Sequence, residues 1–403
     1  MDKLKEINPK MLPECNIGTL GHVSHGKTSL VASLTGKITL THSEELKRGI
    51  TIRLGYADAT IYKCVKCGKY STSIKCPYCF SDTEVVRTIS FVDAPGHETL
   101  MATVLTGASL MDGVLFLIAA NEKCPQPQTK EHLAVLEIAG IKNTIVIQNK
   151  VDLVSEQQAM KNYEEIKEFV KGTILENSPI IPVSAQYRTN IDVVLEAIEK
   201  IIPTPKRGES KDPKMLVARS FDINKPGTKP AKLVGGILGG AIMHGKFSVD
   251  DRIEIRPGVR VGNKYQSLFA KIVGLQKGST NIDIAGAGGL LGMMTTLDPS
   301  LTKADSLVGN VVGLPDKLPK SRETISMNVR FLNRVEGMPN IKTCETILIN
   351  IGTARSVGVV TNFKRDTVEM KLKLPVCAEE KEKVAISRQI DGRWRLVGYG
   401  TIL

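Results

Sequence analysis

The chain has 403 residues, 42% of them hydrophobic, and a formal net charge of +12, a length that fits two or three domains better than one core. No run of about 18 uninterrupted apolar residues occurs and no apolar signal segment opens the chain, so a soluble, cytoplasmic protein without membrane contact is expected. The charge is uneven: residues 1–206 hold 23 basic and 23 acidic side chains, and the whole excess lies beyond Lys206, where 31 face 19.

The first element is an apolar run from Cys15 to Leu20. It leads into Gly21-His22-Val23-Ser24-His25-Gly26-Lys27-Thr28, which fits G-x-x-x-x-G-K-[ST]. A strand feeding a phosphate loop is predicted. Backbone N–H groups of the loop and of the next helix cradle phosphates, Lys27 neutralises their oxygens and the Thr28 hydroxyl ligates Mg²⁺. The phosphate contacts therefore fall to Gly21, Ser24, His25, Gly26, Lys27, Thr28 and Ser29, with His25 acting through its backbone.

Four of the eight cysteines follow as Cys64-x-x-Cys67 and Cys76-x-x-Cys79. Two such pairs supply four thiolates for a structural Zn²⁺, with no open position for catalysis. Two disulfides, disfavoured in a reducing cytosol, and a cluster without metal are the alternatives. Cys15, Cys124, Cys344 and Cys377 are scattered and read as small core residues.

Ser90-Phe91-Val92 reads as a buried strand that ends in Asp93, at the edge where a parallel α/β sheet meets its ligands. Asp93 then reaches the metal and the Gly96 amide meets the γ-phosphate. A further strand, Thr144 to Gln148, delivers Asn149, Lys150 and Asp152 to the base. A carboxylate accepts two hydrogen bonds from the N1–H and exocyclic amine of guanine, a pair that adenine lacks, so GTP is expected over ATP. Ile180 to Val183 precedes Ser184-Ala185-Gln186, whose backbone N–H groups complete the pocket at the guanine O6.

Amphipathic stretches at Gln128 to Ile138, Glu156 to Val170 and Ile191 to Ile201 alternate with these strands. The expectation is an α/β P-loop GTPase domain over 1–206, with the zinc-binding insert at 64–79. Pro203-Thr204-Pro205-Lys206-Arg207 is a linker. Beyond it, short β-branched runs punctuated by glycine, such as those at 239–246, 252–258, 345–352, 357–362 and 368–374, suggest two β-barrel domains, 207–318 and 319–403. The basic excess of this half suits a phosphate backbone, or a well-solvated surface. Glu379 to Lys383 reads as a solvated charge cluster.

These motifs in this order resemble the tRNA-carrying translational GTPases. More narrowly, residues 16–23, Lys47-Arg48-Gly49-Ile50-Thr51-Ile52, Leu54-Gly55-Tyr56-Ala57, the four-cysteine insert, Arg219 to Thr228, Ile386 to Ile390 and Trp394-Arg395 are similar to the gamma subunits of archaeal translation initiation factor 2. The resemblance covers nearly the whole chain. It implies a heterotrimer with alpha and beta subunits that carries methionylated initiator tRNA to the small ribosomal subunit and hydrolyses GTP there. It also implies that Thr51 senses the γ-phosphate through Mg²⁺, that His97 orients the attacking water and that Val23 and Ile50 flank it. Tyr56 resembles a position involved in tRNA binding, with packing as the alternative.

Relatives usually have aspartate where this chain has Ser24, a residue associated, with the Gly49 backbone, with a second Mg²⁺; a neutral hydroxyl is the weaker ligand. No arginine finger is assignable in this chain, so slow intrinsic turnover, accelerated by an activating partner and the ribosome, is expected. An elongation-type GTPase for another aminoacyl-tRNA and the GTPase subunit of a sulfate-activating enzyme are the competing functions, and a GTP-gated scaffold is a third.

Overall fold

A computed structural model describes residues 8–39, 45, 51–208, 210–225, 227–229, 232–332, 341–390 and 392–403. Gly49 and Ile50 lie outside the described residues. The chain divides into two compact units, Met1–His97 with Met111–Pro205, and Glu98–Leu110 with Lys206–Leu403. The described α-helices are α1 (Lys27–Thr35), α2 (Met101–Ala108), α3 (Pro127–Ala139), α4 (Glu156–Val170) and α5 (Ile191–Ile201).

The first unit is built on a seven-stranded sheet of β1 (Pro13–Gly21), β2 (Gly55–Cys64), β3 (Tyr70–Ser71), β4 (Thr83–Asp93), β5 (Gly113–Ala119), β6 (Thr144–Asn149) and β7 (Ile180–Val183), in the order β3-β2-β4-β1-β5-β6-β7. From β4 to β7 neighbours are parallel, whereas β2 runs antiparallel to β4. Every residue of β5 and β6 is buried, as expected of parallel strands covered on both faces. That burial is why these segments read as unbroken apolar runs.

Local chemistry sets the helix ends. Gly26 enters α1 with φ +87° and Gly36 leaves it with φ +72°, a left-handed conformation that glycine adopts without a Cβ penalty. Ser155 and Gln158 form a reciprocal capping box at the start of α4. Arg87, on β4, is buried and grips the end of α5: its guanidinium donates to the Ile198 and Ile202 carbonyls and pairs with Glu199 at 2.8 Å. A cation there complements the carbonyl end of the helix dipole.

The second unit contains two barrels. The first comprises β8 (Lys214–Phe221), β9 (Ile237–His244), β10 (Lys246–Ser248), β11 (Arg252–Val261), β12 (Lys264–Lys277), β13 (Thr280–Ile282), β14 (Ile284–Gly286), β15 (Leu291–Thr295) and β16 (Val311–Gly313), and the pairing of β11 with β12 closes its main sheet. The second is a closed six-stranded barrel of β17 (Ser321–Phe331), β18 (Thr346–Ile351), β19 (Ala354–Lys364), β20 (Thr367–Cys377), β21 (Lys383–Ile390) and β22 (Arg393–Ile402). Each encloses its own apolar core. In the six-stranded barrel, full closure removes the sheet edges that would otherwise seek partners.

One expectation needs revising. Lys214 is 8% exposed and its Nζ donates to both Glu379 and Glu382 at 2.8 Å. The 379–383 charge cluster is thus partly an ion-pair partner for a buried lysine and not only a solvated turn. Segment 98–110 is fastened to the barrels of its own unit. The Arg393 and Arg395 side chains each donate to the Glu98 carboxylate, at 2.8 and 2.6 Å, and Asn350 Nδ2 donates to the Ala102 carbonyl at 3.2 Å.

Candidate functional site

The phosphate loop turns at the C-terminal end of β1, where β4, β5 and β6 also end. Its shape comes from backbone conformations that few sequences allow. Besides Gly26, Gly21 has φ +140° and Ser24 φ +62°. A Cβ at Gly21 would stand 2.3 Å from the Leu117 carbonyl oxygen, and one at Gly26 would stand 2.2 Å from Asn149 Nδ2. These glycines permit the close approach of β5 and β6 to the loop.

Lys27 is buried, and its Nζ donates to the Gly21 and His22 carbonyls at 2.8 and 2.7 Å. Burial lowers its ammonium to about 8, against the opposing attraction of Asp93. A weakly solvated cation already enclosed by loop carbonyls is poised to bind phosphate oxygens.

Asp93, fully buried at the end of β4, collects hydroxyl groups. Its Oδ1 accepts from Thr19 at 2.9 Å, and its Oδ2 accepts from Thr28 and Thr39, each at 2.7 Å. Thr28 Oγ1 and Thr51 Oγ1 lie 2.9 Å apart. Adjacent ligands of an octahedral Mg²⁺ at ~2.1 Å stand about 3 Å apart, so the two hydroxyls fit neighbouring positions on that ion. Val23, Ser24, Gly26, Lys27, Thr28, Ser29, Thr51, Gly96, His97 and Lys150 surround one cavity of about 270 Å³. The loop, Thr51, Gly96 and His97 therefore share one space.

The residues expected at the base are tied to the loop by Asn149. Its Nδ2 donates to the His25 carbonyl at 2.9 Å, and its Oδ1 accepts from the Ala185 amide at 3.1 Å. Ser184 and Ala185 are buried, whereas Asp152 and Gln186 are exposed and stand outside the 270 Å³ cavity. Lys150 takes a left-handed conformation, φ +64°, as it leaves β6.

Sequence reading missed four contributors. Thr19 and Thr39 donate to Asp93, while Gln128 Oε1 and His132 Nδ1 accept from the loop amides of Val23 and Gly21 at 3.3 and 3.2 Å. A signal was present for the last two, which lie four apart and so share one face of α3. The threonines carry none.

The four cysteines stand apart from the nucleotide pocket, on the turns that leave β2 and enter β4. Cys64 and Cys79 sulfurs lie 3.4 Å apart and those of Cys67 and Cys76 lie 3.6 Å apart, with all four within 4.8 Å of one another. These are free thiols, well beyond the ~2.05 Å of a disulfide. Four sulfurs about a Zn²⁺ at ~2.3 Å would be separated by about 3.8 Å, so the cluster fits that ion. Tyr56 lies on β2, half-buried opposite Val92.

Comparison with known proteins is decisive. The family model "Elongation factor Tu GTP binding domain" matches residues 13–204, and "Initiation factor eIF2 gamma, C terminal" matches residues 323–402. The translation initiation factor 2 subunit gamma of Methanocaldococcus jannaschii is 59% identical, over 96% of this chain and 97% of that protein; its counterpart from Thermococcus kodakarensis is 56% identical over the full length of both. The chain belongs to the translation initiation factor 2 subunit gamma family.

As a member of that family it is a GTP-hydrolysing factor of translation initiation. The structure of a bacterial selenocysteine-specific elongation factor superimposes with a TM-score of 0.75 at 23% identity, over 97% of this chain and 58% of that one. Elongation factor SelB of Methanococcus maripaludis with a GTP analogue gives 0.73 at 22%, over 97% and 79%. At those identities the likeness is one of fold: a GTPase domain followed by two barrels.

Proposed function

We propose that this initiation factor 2 gamma chain is the GTP-switched carrier of methionylated initiator tRNA to the small ribosomal subunit, working in a heterotrimer with alpha and beta subunits. One observation carries the switch: the Thr28 and Thr51 hydroxyls meet 2.9 Å apart over Asp93 in the cavity that His97 lines. A γ-phosphate with its Mg²⁺ would draw both threonines to one point, and its loss would release Thr51. The tRNA role is supported by the family and by the basic excess beyond Lys206.

In this reading the domains are 1–206, 207–318 and 319–403. Lys27 and the loop amides stabilise charge on the phosphates, Thr28 and Thr51 would hold a Mg²⁺ that would supply further positive charge there, and His97 orients water for in-line attack. Asn149, Lys150 and Asp152, with the Ser184-Ala185-Gln186 backbone, select guanine. Cys64, Cys67, Cys76 and Cys79 hold a structural Zn²⁺.

The test is filter binding of aminoacylated tRNAs with GTP, with and without an alpha subunit. Selective retention of methionylated initiator tRNA is expected, and equal retention of elongator tRNAs would overturn the carrier reading. For the hydrolytic step, His97→Ala should keep nucleotide affinity and lower hydrolysis about a hundredfold. Loss of binding instead would make His97 structural.

A further inference from the structure

Helix α3 aims a fully buried imidazole at the phosphate loop. His132 Nδ1 accepts from the Gly21 amide at 3.2 Å. The ring is neutral, because burial, and then the nearby Lys27 ammonium, hold it well below the usual imidazole range. A neutral imidazole that accepts at Nδ1 carries its proton on Nε2. No described atom meets hydrogen-bond geometry at that Nε2, and a buried N–H without a partner is costly. Besides the Gly21 amide, the Gly96 backbone acts on the ring in the raising direction, as a carbonyl facing a ring N–H does. Gly96 itself is pressed against the loop: a Cβ there would stand 2.5 Å from Lys27 Nζ and 2.8 Å from the Val23 nitrogen.

We infer that His132 is a positioning residue for hydrolysis: with Nδ1 holding the Gly21 amide, its Nε2–H donates to the Gly96 carbonyl when the second switch closes on GTP. The peptide so fixed is the one joining Gly96 to His97. One ring thereby couples the loop that binds the phosphates to the residue that orients the water. The inference rests on reading His97 as that residue.

The two ring nitrogens can be separated by substitution in the full-length chain. His132→Asn places an acceptor near Nδ1 and removes the distal donor. GDP and GTP affinities should then stay within about two-fold of the parent while single-turnover hydrolysis falls about ten-fold. His132→Gln restores an N–H near the Nε2 position and should recover most of that rate. Wild-type-like hydrolysis by His132→Asn would overturn the inference, as would parallel losses of affinity, rate and thermal midpoint in both variants.

A third measurement does not depend on either variant folding. In the histidine-labelled parent chain, the His132 Nε2–H resonance should move downfield when a non-hydrolysable GTP analogue replaces GDP; an unmoved resonance would overturn the inference. His97→Ala, run in parallel, separates the two levels. A slow His97→Ala beside a fast His132→Asn defeats only the positioning role, whereas a fast His97→Ala defeats the underlying reading.

Discussion

Asn149 Nδ2 donates to the His25 carbonyl at 2.9 Å, which ties the last residue of β6 directly to the phosphate loop. Its Oδ1 meanwhile accepts from the Ala185 amide. The phosphate loop and the segment after β7 are thus held in register by one side chain. Asn149→Ala deletes both bonds and leaves a buried carbonyl and a buried N–H unsatisfied, at about 1–3 kcal/mol each. Guanine nucleotide affinity should fall between ten- and a hundred-fold in a fluorescent GDP titration, and an unchanged affinity would contradict the bridge.

Ser24 sits exposed on the rim of the same cavity in a left-handed conformation, φ +62°. Aspartate tolerates that region, so Ser24→Asp adds a hard anionic oxygen without backbone strain. Hydrolysis should rise, or its magnesium dependence steepen, by several-fold. Identical rates across a magnesium titration would show that the missing carboxylate has no role.

The cysteine cluster joins the turns that leave β2 and enter β4. Protein purified without chelators should contain one zinc per chain by elemental analysis. Stripping it, or replacing Cys67 with serine, should lower the thermal midpoint by several degrees, because metal binding adds to folding free energy. A metal-free chain with an unaltered midpoint would refute a structural role.

Lys214 is buried against two carboxylates that are 52% and 30% exposed. Lys214→Met removes the shared cation and should cost about 1–2 kcal/mol at pH 7, since the carboxylates keep part of their hydration. The hydrogen bond from Lys214 holds Glu379 below its ordinary value of 4.5. A carboxylate depressed in the folded state contributes stability above that value and loses it on acidification. Denaturant titrations should therefore show the parent and the variant converging as the pH falls below about 4.5, and a constant gap would refute the pairing.

The placement of the phosphate loop, Asp93 and Asn149 was legible in the sequence because it follows from local backbone needs: glycines where the chain turns back, a carboxylate where a buried strand stops. The cysteine pairs were legible for the same reason, as each knuckle is a four-residue turn. Thr19 and Thr39 were not, and Gln128 and His132 only as two residues on one face of a helix, because their meaning lies in partners far along the chain. Thr19 meets Asp93 from 74 residues away and His132 meets Gly21 across 111. No periodicity marks a threonine whose only distinction is what stands opposite. The Glu379 to Lys383 cluster was misjudged in part because sequence shows charges but not the buried lysine that two of them face.

Glu98 is clasped by two arginines of β22 and is the immediate neighbour of His97. Both arginines belong to the unit that holds segment 98–110, so the two ion pairs fix where that segment begins. Whatever loosens the grip of the last strand on Glu98 frees the start of segment 98–110 from its own unit, so substitutions at Arg393 and Arg395 would be felt first at that anchor.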